Sequence, residues 1–293
     1  MDRNEPIEKI QLSERPKVSI VIPHFSESRK ADLKKLIAQI KEQSFRDLEV
    51  IIVKGVSPQG KAINMGAKEA AGDVLMVQDD DSSMGHHQVI GNLVQVLQED
   101  SSVAMAGASV LTPEDANPFQ KRAAKQFPRF NMPVVKEVTD SDLACHGCVA
   151  FPKKMFMQVG MEREDILRGL DPDLRVRIRG AGYRVVLAPE TWVYHPLPQS
   201  FLKFIRLFLR NGYGAAYVQV FHPEINYDTD ERLHSRAFTP KRSLFYRILR
   251  YPIRLIQSLL TFQWLRFLGY FVYVFGYLFG YVKFSFLKLL KRS

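Results

Sequence analysis

Cysteine is nearly absent. The 293 residues contain two, Cys145 and Cys148, too few for a disulfide framework. In Cys-His-Gly-Cys, two thiols and one imidazole fall short of a four-ligand structural zinc site. A redox Cys-x-x-Cys pair or a buried strand beside a site are the readings left. No G-x-x-x-x-G-K-[ST] stretch occurs, and no G-x-G-x-x-G follows a strand, which speaks against a P-loop enzyme and a dinucleotide dehydrogenase. Met1 to Lys17 is polar and holds no apolar h-region, so no signal peptide is expected and the bulk of the chain is expected in the cytosol. Repeats and low-complexity tracts are missing too.

Acidic residues are scarce in the last third. Residues 200–293 carry 15 Lys/Arg against 4 Asp/Glu, a net of +11, while the remainder has a net of −1. A nucleic-acid binder usually carries its basic patch on the folded domain. Here the cations interleave with apolar residues, which points to an anionic lipid surface and not to nucleic acid.

What is present is an alternation of strand and helix patterns. Val18–Ile22, Leu48–Val53, Val74–Val77 and Val103–Val110 are largely apolar runs. Between them lie helical patterns: Leu33, Leu36, Ile37 and Ile40, then Ala62–Ala71, then Val89–Leu97. Apolar strands separated by helices predict an α/β fold with a mainly parallel sheet covered by helices on both faces. Ligands in such sheets bind beyond the carboxyl ends of the strands. That edge carries Pro23–Glu27 and the acidic run Asp79, Asp80, Asp81. Thr112–Pro133, with four prolines, reads as a long loop. Asp171-Pro-Asp173 precedes a helix over Leu174–Ala181. Arg184–Leu187 and Trp192–His195 read as two short strands, and Phe201–Val220 as a helix.

Three adjacent aspartates at a strand end repel one another unless a cation sits among them. A hard divalent ion held by carboxylates and substrate phosphates removes that cost. Aspartates beginning the next helix are the plainer alternative.

Five segments, in order and spacing, resemble the family-2 glycosyltransferases of the GT-A fold over about residues 16–220. They are Val18-Ser-Ile-Val-Ile-Pro-His, Gln59-Gly-Lys-Ala-Ile-Asn-Met-Gly66 with Ala70-Ala-Gly-Asp73, Val74-Leu-Met-Val-Gln-Asp-Asp-Asp81, Asp171-Pro-Asp-Leu-Arg-Val-Arg, and Trp192-Val-Tyr-His195. Two positions depart from the family. Lys54-Gly-Val-Ser57 stands where an acidic residue meets the nucleotide base, and Leu170 stands where Glu precedes the catalytic Asp. The resemblance implies a GT-A-type nucleotide-sugar-binding sheet and inverting transfer from a nucleotide diphosphate sugar to a hydroxyl or phosphate acceptor. It implies Asp79, Asp81 and His195 as ligands of Mn2+ or Mg2+, and Asp171 as the base, with Asp173 the other carboxylate of that motif. Pro23, His24, Glu27, Lys61, Asp79, Asp80, Arg206 and Arg210 are the expected donor contacts. The plainer readings are capping for Asp171 and Asp173 and a solvated basic face for Lys61, Arg206 and Arg210.

Arg247, Arg250, Arg254, Gln257 and Thr261 recur at three or four residues amid Ile, Leu, Phe and Tyr, the pattern of a helix at a bilayer surface. Phe267–Val282 then runs 16 residues without a charge, short of the ~20 of a comfortable span. The expected division is a catalytic domain over 1–222, a linker over 223–243 and membrane-associated helices over 244–293. The protein is expected at the cytoplasmic face of the membrane, monotopic or single-span. A lipid-linked or envelope-glycan acceptor follows from that placement. Packing of these helices on the domain or on a second copy, a homo-oligomer, is the alternative. Two other classes stand beside the transferase reading: a nucleotidyltransferase on a related sheet, and a non-catalytic membrane adaptor.

Overall fold

The computed structural model describes residues 6–225, 227–228, 239–240 and 243–290. Most of the expected 223–243 linker, and the side chain of Arg247, lie outside the described residues.

The strands are β1 (Ile7–Gln11), β2 (Val18–His24), β3 (Leu48–Lys54), β4 (Val74–Gln78), β5 (Ser83–Met84), β6 (Val103–Leu111), β7 (Thr139–Asp140), β8 (Cys148–Pro152) and β9 (Arg184–Tyr194). The helices are α1 (Lys30–Lys41), α2 (Gln59–Glu69), α3 (Val89–Glu99), α4 (Pro118–Gln126), α5 (Lys153–Gln158), α6 (Leu170–Gly180), α7 (Phe201–Phe221), α8 (Leu244–Leu260) and α9 (Trp264–Leu290). One sheet runs β1-β3-β2-β4-β8-β6-β9-β5, with β7 against β9. β2 pairs in parallel with β3 and β4, and β6 with β9. β8 runs antiparallel between β4 and β6, so the sheet is mixed.

Consecutive residues of a strand face opposite sides of a sheet. Val18–Ile22 and Leu48–Val53 are buried at every position, so both faces are covered there. α1 contributes Leu33, Leu36 and Ile40 to this core, and α3 contributes Val89, Ile90, Leu93 and Val94. The parallel strands β2 and β4 end together, which puts Pro23 and the aspartates on one edge, as the sequence pattern predicted.

Four elements differ from the sequence reading. The polar N-terminal segment holds β1, an antiparallel edge strand on β3; an edge strand needs only alternate apolar residues, here Ile7 and Ile10. Thr112–Pro133 contains a helix, α4, started by an Asn117–Gln120 capping box with Pro118 in its first turn. The two short strands Arg184–Leu187 and Trp192–His195 are one strand, β9, whose register on β6 shifts between Gly107 and Ser109. α6 begins at Leu170, after Gly169 at φ +97°, so both aspartates of that motif lie in its first turn.

α9 is 27 residues long and apolar enough to cross a membrane. It runs alongside α7. Gly276 meets the Leu209 carbonyl and Gly212 meets that of Tyr273, contacts that leave no room for a Cβ. Leu265 packs with Ala123, Phe204 and Phe208 at one end, and Phe284 with Ala216 and Val220 at the other.

Candidate active site

The acidic run forms the turn between β4 and β5. The antiparallel pair Ser83↔Tyr194 carries the end of β9 back to that turn, and His195 follows at once. Its backbone N–H is fixed on the Leu111 carbonyl at 3.0 Å. His195 Nε2 lies 3.5 Å from Asp79 Oδ2 and 3.3 Å from Asp81 Oδ1. One ligand atom from each of Asp79, Asp81 and His195 lies within 4.8 Å of the others. Asp81 Oδ1 is buried and without a hydrogen bond. Burial opposes charge on His195, but the two carboxylates outweigh it and push the imidazole up to about 10. Two carboxylates and one imidazole so placed suit Mn2+ or Mg2+.

Asp80 points elsewhere. It is almost wholly buried, with His24 Nδ1 at 2.7 Å and Arg29 Nη1 at 2.9 Å. Burial raises its carboxyl against the pull of His24 and Arg29. Arg29 also reaches Asp81 at 3.0 Å. Gln59 donates to Asp79 Oδ1 at 2.9 Å. His24 and Asp80 therefore brace the acidic turn from behind.

A cavity of about 250 Å³ opens beside this cluster, lined among others by Gln59, Asp79, Phe130, His146, Arg168, Asp171 and His195. Asp171 thus shares one cavity with Asp79 and His195. Asp173 is not in it: its carboxylate is 1% exposed and bound to Arg177 Nη2 at 2.6 Å and Arg163 Nε at 3.2 Å. Burial favours the neutral form of Asp171, yet His146 overrides it and holds the carboxyl far below its usual range.

The other expected donor contacts lie apart. Lys61, Glu27 and Arg206 are exposed and outside the cavity lining. Pro23 is half-buried in β2, opposite Val53. Arg210 is exposed on α7, and its charge is felt by Arg168. Arg168 itself was not singled out from the sequence. It lines the cavity with its stem against Gly214 of α7, and it forms no hydrogen bond or ion pair with the described residues. Burial, then Arg210, lower its pKa, while Asp79 raises it. Its position before the left-handed Gly169 and the acidic motif was the available signal. The Cys145 thiol is pushed up to about 11 by burial and then by Asp171, and burial raises Cys148 as well. Thiols raised in this way favour the structural reading over the redox one, and Cys148 lies buried at the start of β8.

A family model described as glycosyltransferase like family 2 matches residues 7–214, well over half of the chain. The chain belongs to this family. The chain is also similar to a mannosyltransferase, PcManGT from Pyrobaculum calidifontis, solved in complex with GDP-Man and Mn2+. That likeness has 15% identity and a TM-score of 0.52, over 70% of this chain and 64% of that one; it shows the GT-A fold alone. TarS of S. aureus (residues 1–349) is similar at 10% identity and TM-score 0.45, over 71% of this chain and 68% of that one. The chain spans 64% of the length of the mannosyltransferase. No curated protein matches it.

Proposed function

We propose that this glycosyltransferase moves a sugar, with inversion, from a nucleotide diphosphate sugar to a hydroxyl or phosphate acceptor that is lipid-linked or part of an envelope glycan. The observation that carries this reading is the shared cavity, lined by Asp171 and by Asp79 and His195 of the Asp79–Asp81–His195 cluster. Asp79, Asp81 and His195 would hold Mn2+ or Mg2+, and the ion would supply Lewis-acid neutralisation of charge on a departing diphosphate. Asp171 accepts the acceptor's proton, a task that requires a carboxylate within hydrogen-bond reach. Gln59 orients Asp79. Arg168, backed by Arg210, offers the diphosphate a guanidinium whose hydrogen bonds are unspent. Pro23, Glu27, Lys61 and Arg206 serve a donor that extends beyond the cavity.

We place the catalytic domain over 1–222 and the membrane-associated helices over 244–293, at the cytoplasmic face. Exposed apolar side chains support that placement: Leu249, Ile253, Ile256 and Leu260 on α8, and Phe275, Phe279 and Val282 on α9. Exposed Arg250 and Arg254 lie among them, and each cation near an anionic surface contributes about 1 kcal/mol. The packing of α9 along α7 favours a monotopic attachment over a single span.

Thermal shift against UDP-, GDP- and dTDP-sugars with Mn2+ or Mg2+ tests the donor, because a bound ligand raises apparent stability by mass action. A metal-dependent shift with one nucleotide class is expected. No shift with any of them would remove the donor reading.

A further inference from the structure

A buried carboxylate–imidazole–carboxylate chain lies behind Asp171. His146 donates its backbone N–H to Asp171 Oδ1 at 2.7 Å, and its ring Nδ1 is 2.9 Å from the same oxygen. The other ring nitrogen, Nε2, is 2.8 Å from Glu162 Oε1. The side chains of His146 and Glu162 are 5% and 0% exposed. A neutral imidazole has one N–H, so it satisfies two flanking carboxylates only as the imidazolium.

Glu162 is itself held firmly. Asn64 of α2 accepts from its backbone N–H at 2.9 Å and donates to its carbonyl at 2.9 Å. Gly60 lets this segment approach α2, since a Cβ there would meet the Arg163 carbonyl at 2.7 Å. Glu162 Oε2 is buried without a hydrogen bond, so its charge is tolerable only beside a cation, and His146 is the cation that touches it. The chain of support runs from α2 through Glu162 and His146 to Asp171. The charged and titratable groups around His146 are Asp171 and Arg175 of α6, Glu162, and the neighbouring Cys145 thiol.

Both donors converge on Oδ1. That leaves Asp171 Oδ2 without a hydrogen-bond partner among the described residues, on a carboxylate that lines the cavity. We infer that His146, fixed in place by Glu162, is a positioning residue that pins Asp171 through Oδ1 and leaves Oδ2 to take the acceptor's proton. The inference rests on Asp171 being the base. It follows the logic of a catalytic group oriented by a second side chain that a third holds in turn. A small displacement of a reacting group costs up to about 100-fold in rate, so loss of the pin appears in turnover and not in donor binding.

The test compares the full-length protein with H146A, E162Q and D171N. The reaction is hydrolysis, by water as acceptor, of the nucleotide sugar that the thermal-shift panel selects, with Mn2+ present. Turnover of H146A is expected to fall about 10- to 100-fold with donor KM within about twofold. The acid limb of its pH–rate profile should move upward, because Asp171 loses the adjacent cation. E162Q should show the same pattern at smaller size. A folded H146A with the turnover and acid limb of the parent, while D171N is inactive, would overturn the inference and leave Asp171 as the base. Parent-like D171N would instead remove the reading of Asp171. Should H146A fail to melt cooperatively, E162Q decides: unchanged turnover and acid limb there overturn the inference.

Discussion

Asp171 and Asp173 lie two residues apart in one helical turn, and their exchange for asparagine should separate chemistry from stability. Asp173 is 1% exposed and faces two guanidiniums, at 2.6 Å from Arg177 Nη2 and 3.2 Å from Arg163 Nε. Removing one partner of a fully buried ion pair costs about 3–5 kcal/mol. Here the arginine side chains keep 18% and 30% exposure and recover part of their hydration, so about 2–3 kcal/mol is expected for Asp173→Asn. For 293 residues the unfolding entropy is about 0.6 kcal/mol per degree, which makes the loss about 3–5 °C in Tm. Asp171→Asn keeps an oxygen to accept from His146, so its cost is about 1 kcal/mol. Its turnover should fall about 10²- to 10⁴-fold, the contribution of a positioned base. The assay pairs thermal melts with donor turnover per folded molecule. Turnover lost in Asp173→Asn and kept in Asp171→Asn would refute the reasoning.

Three further outcomes follow from the same geometry. Phe279→Glu, at a side chain 69% exposed, should leave the melting temperature unchanged and weaken pelleting with anionic vesicles; unchanged pelleting would show that α9 meets no bilayer. Arg168→Ala should raise donor KM about tenfold, the loss of one charge-assisted contact of about 1.5 kcal/mol, and calorimetry with the nucleotide diphosphate and Mn2+ checks it. Asp171 is depressed and His146 raised. Stability from the former is present above about pH 4 and lost as pH falls through its folded value. Stability from the latter is present below about 6.5 and lost as pH rises through its raised value. The melting gap between parent and Asp171→Asn should therefore be full near pH 5–6.5 and close on acidification below about 4; a gap that widens in acid contradicts the pairing.

Much of the sheet was legible because its strands are buried on both faces and read as largely apolar runs; Val74–Val77 is wholly apolar, and Leu48–Val53 is broken only by the buried Glu49. β1 was hidden because an edge strand needs only Ile7 and Ile10. α4 was hidden by prolines that start a helix as readily as they break one, and Pro118 is such a start. At the site, the clustered aspartates and His195 stood at recognisable strand ends. The division of labour inside each cluster was not legible. Asp80 turns back to His24 and Asp173 to two arginines, choices set by neighbours 51 to 56 residues away for Asp80. Arg168 stands three residues before Asp171 but belongs to no short motif, and only the fold brings the Glu162–His146 chain to Asp171. The tail's amphipathic pattern was plain, but its docking on α7 through Gly212 and Gly276 depends on a surface the periodicity does not encode. Removing the tail from about Lys241 onward would therefore bare Phe208, Ala216 and Val220, which α9 covers, so point substitutions on the exposed face test membrane attachment more cleanly than truncation.

Metal-dependent cleavage of a nucleotide diphosphate sugar by the parent and by Asp81→Asn tests the central claim most directly. The account predicts turnover with Mn2+ or Mg2+ that stops in chelator, returns on adding metal, and is absent in an Asp81→Asn protein with a parent-like melt. Full turnover in chelator, or by Asp81→Asn, would contradict it.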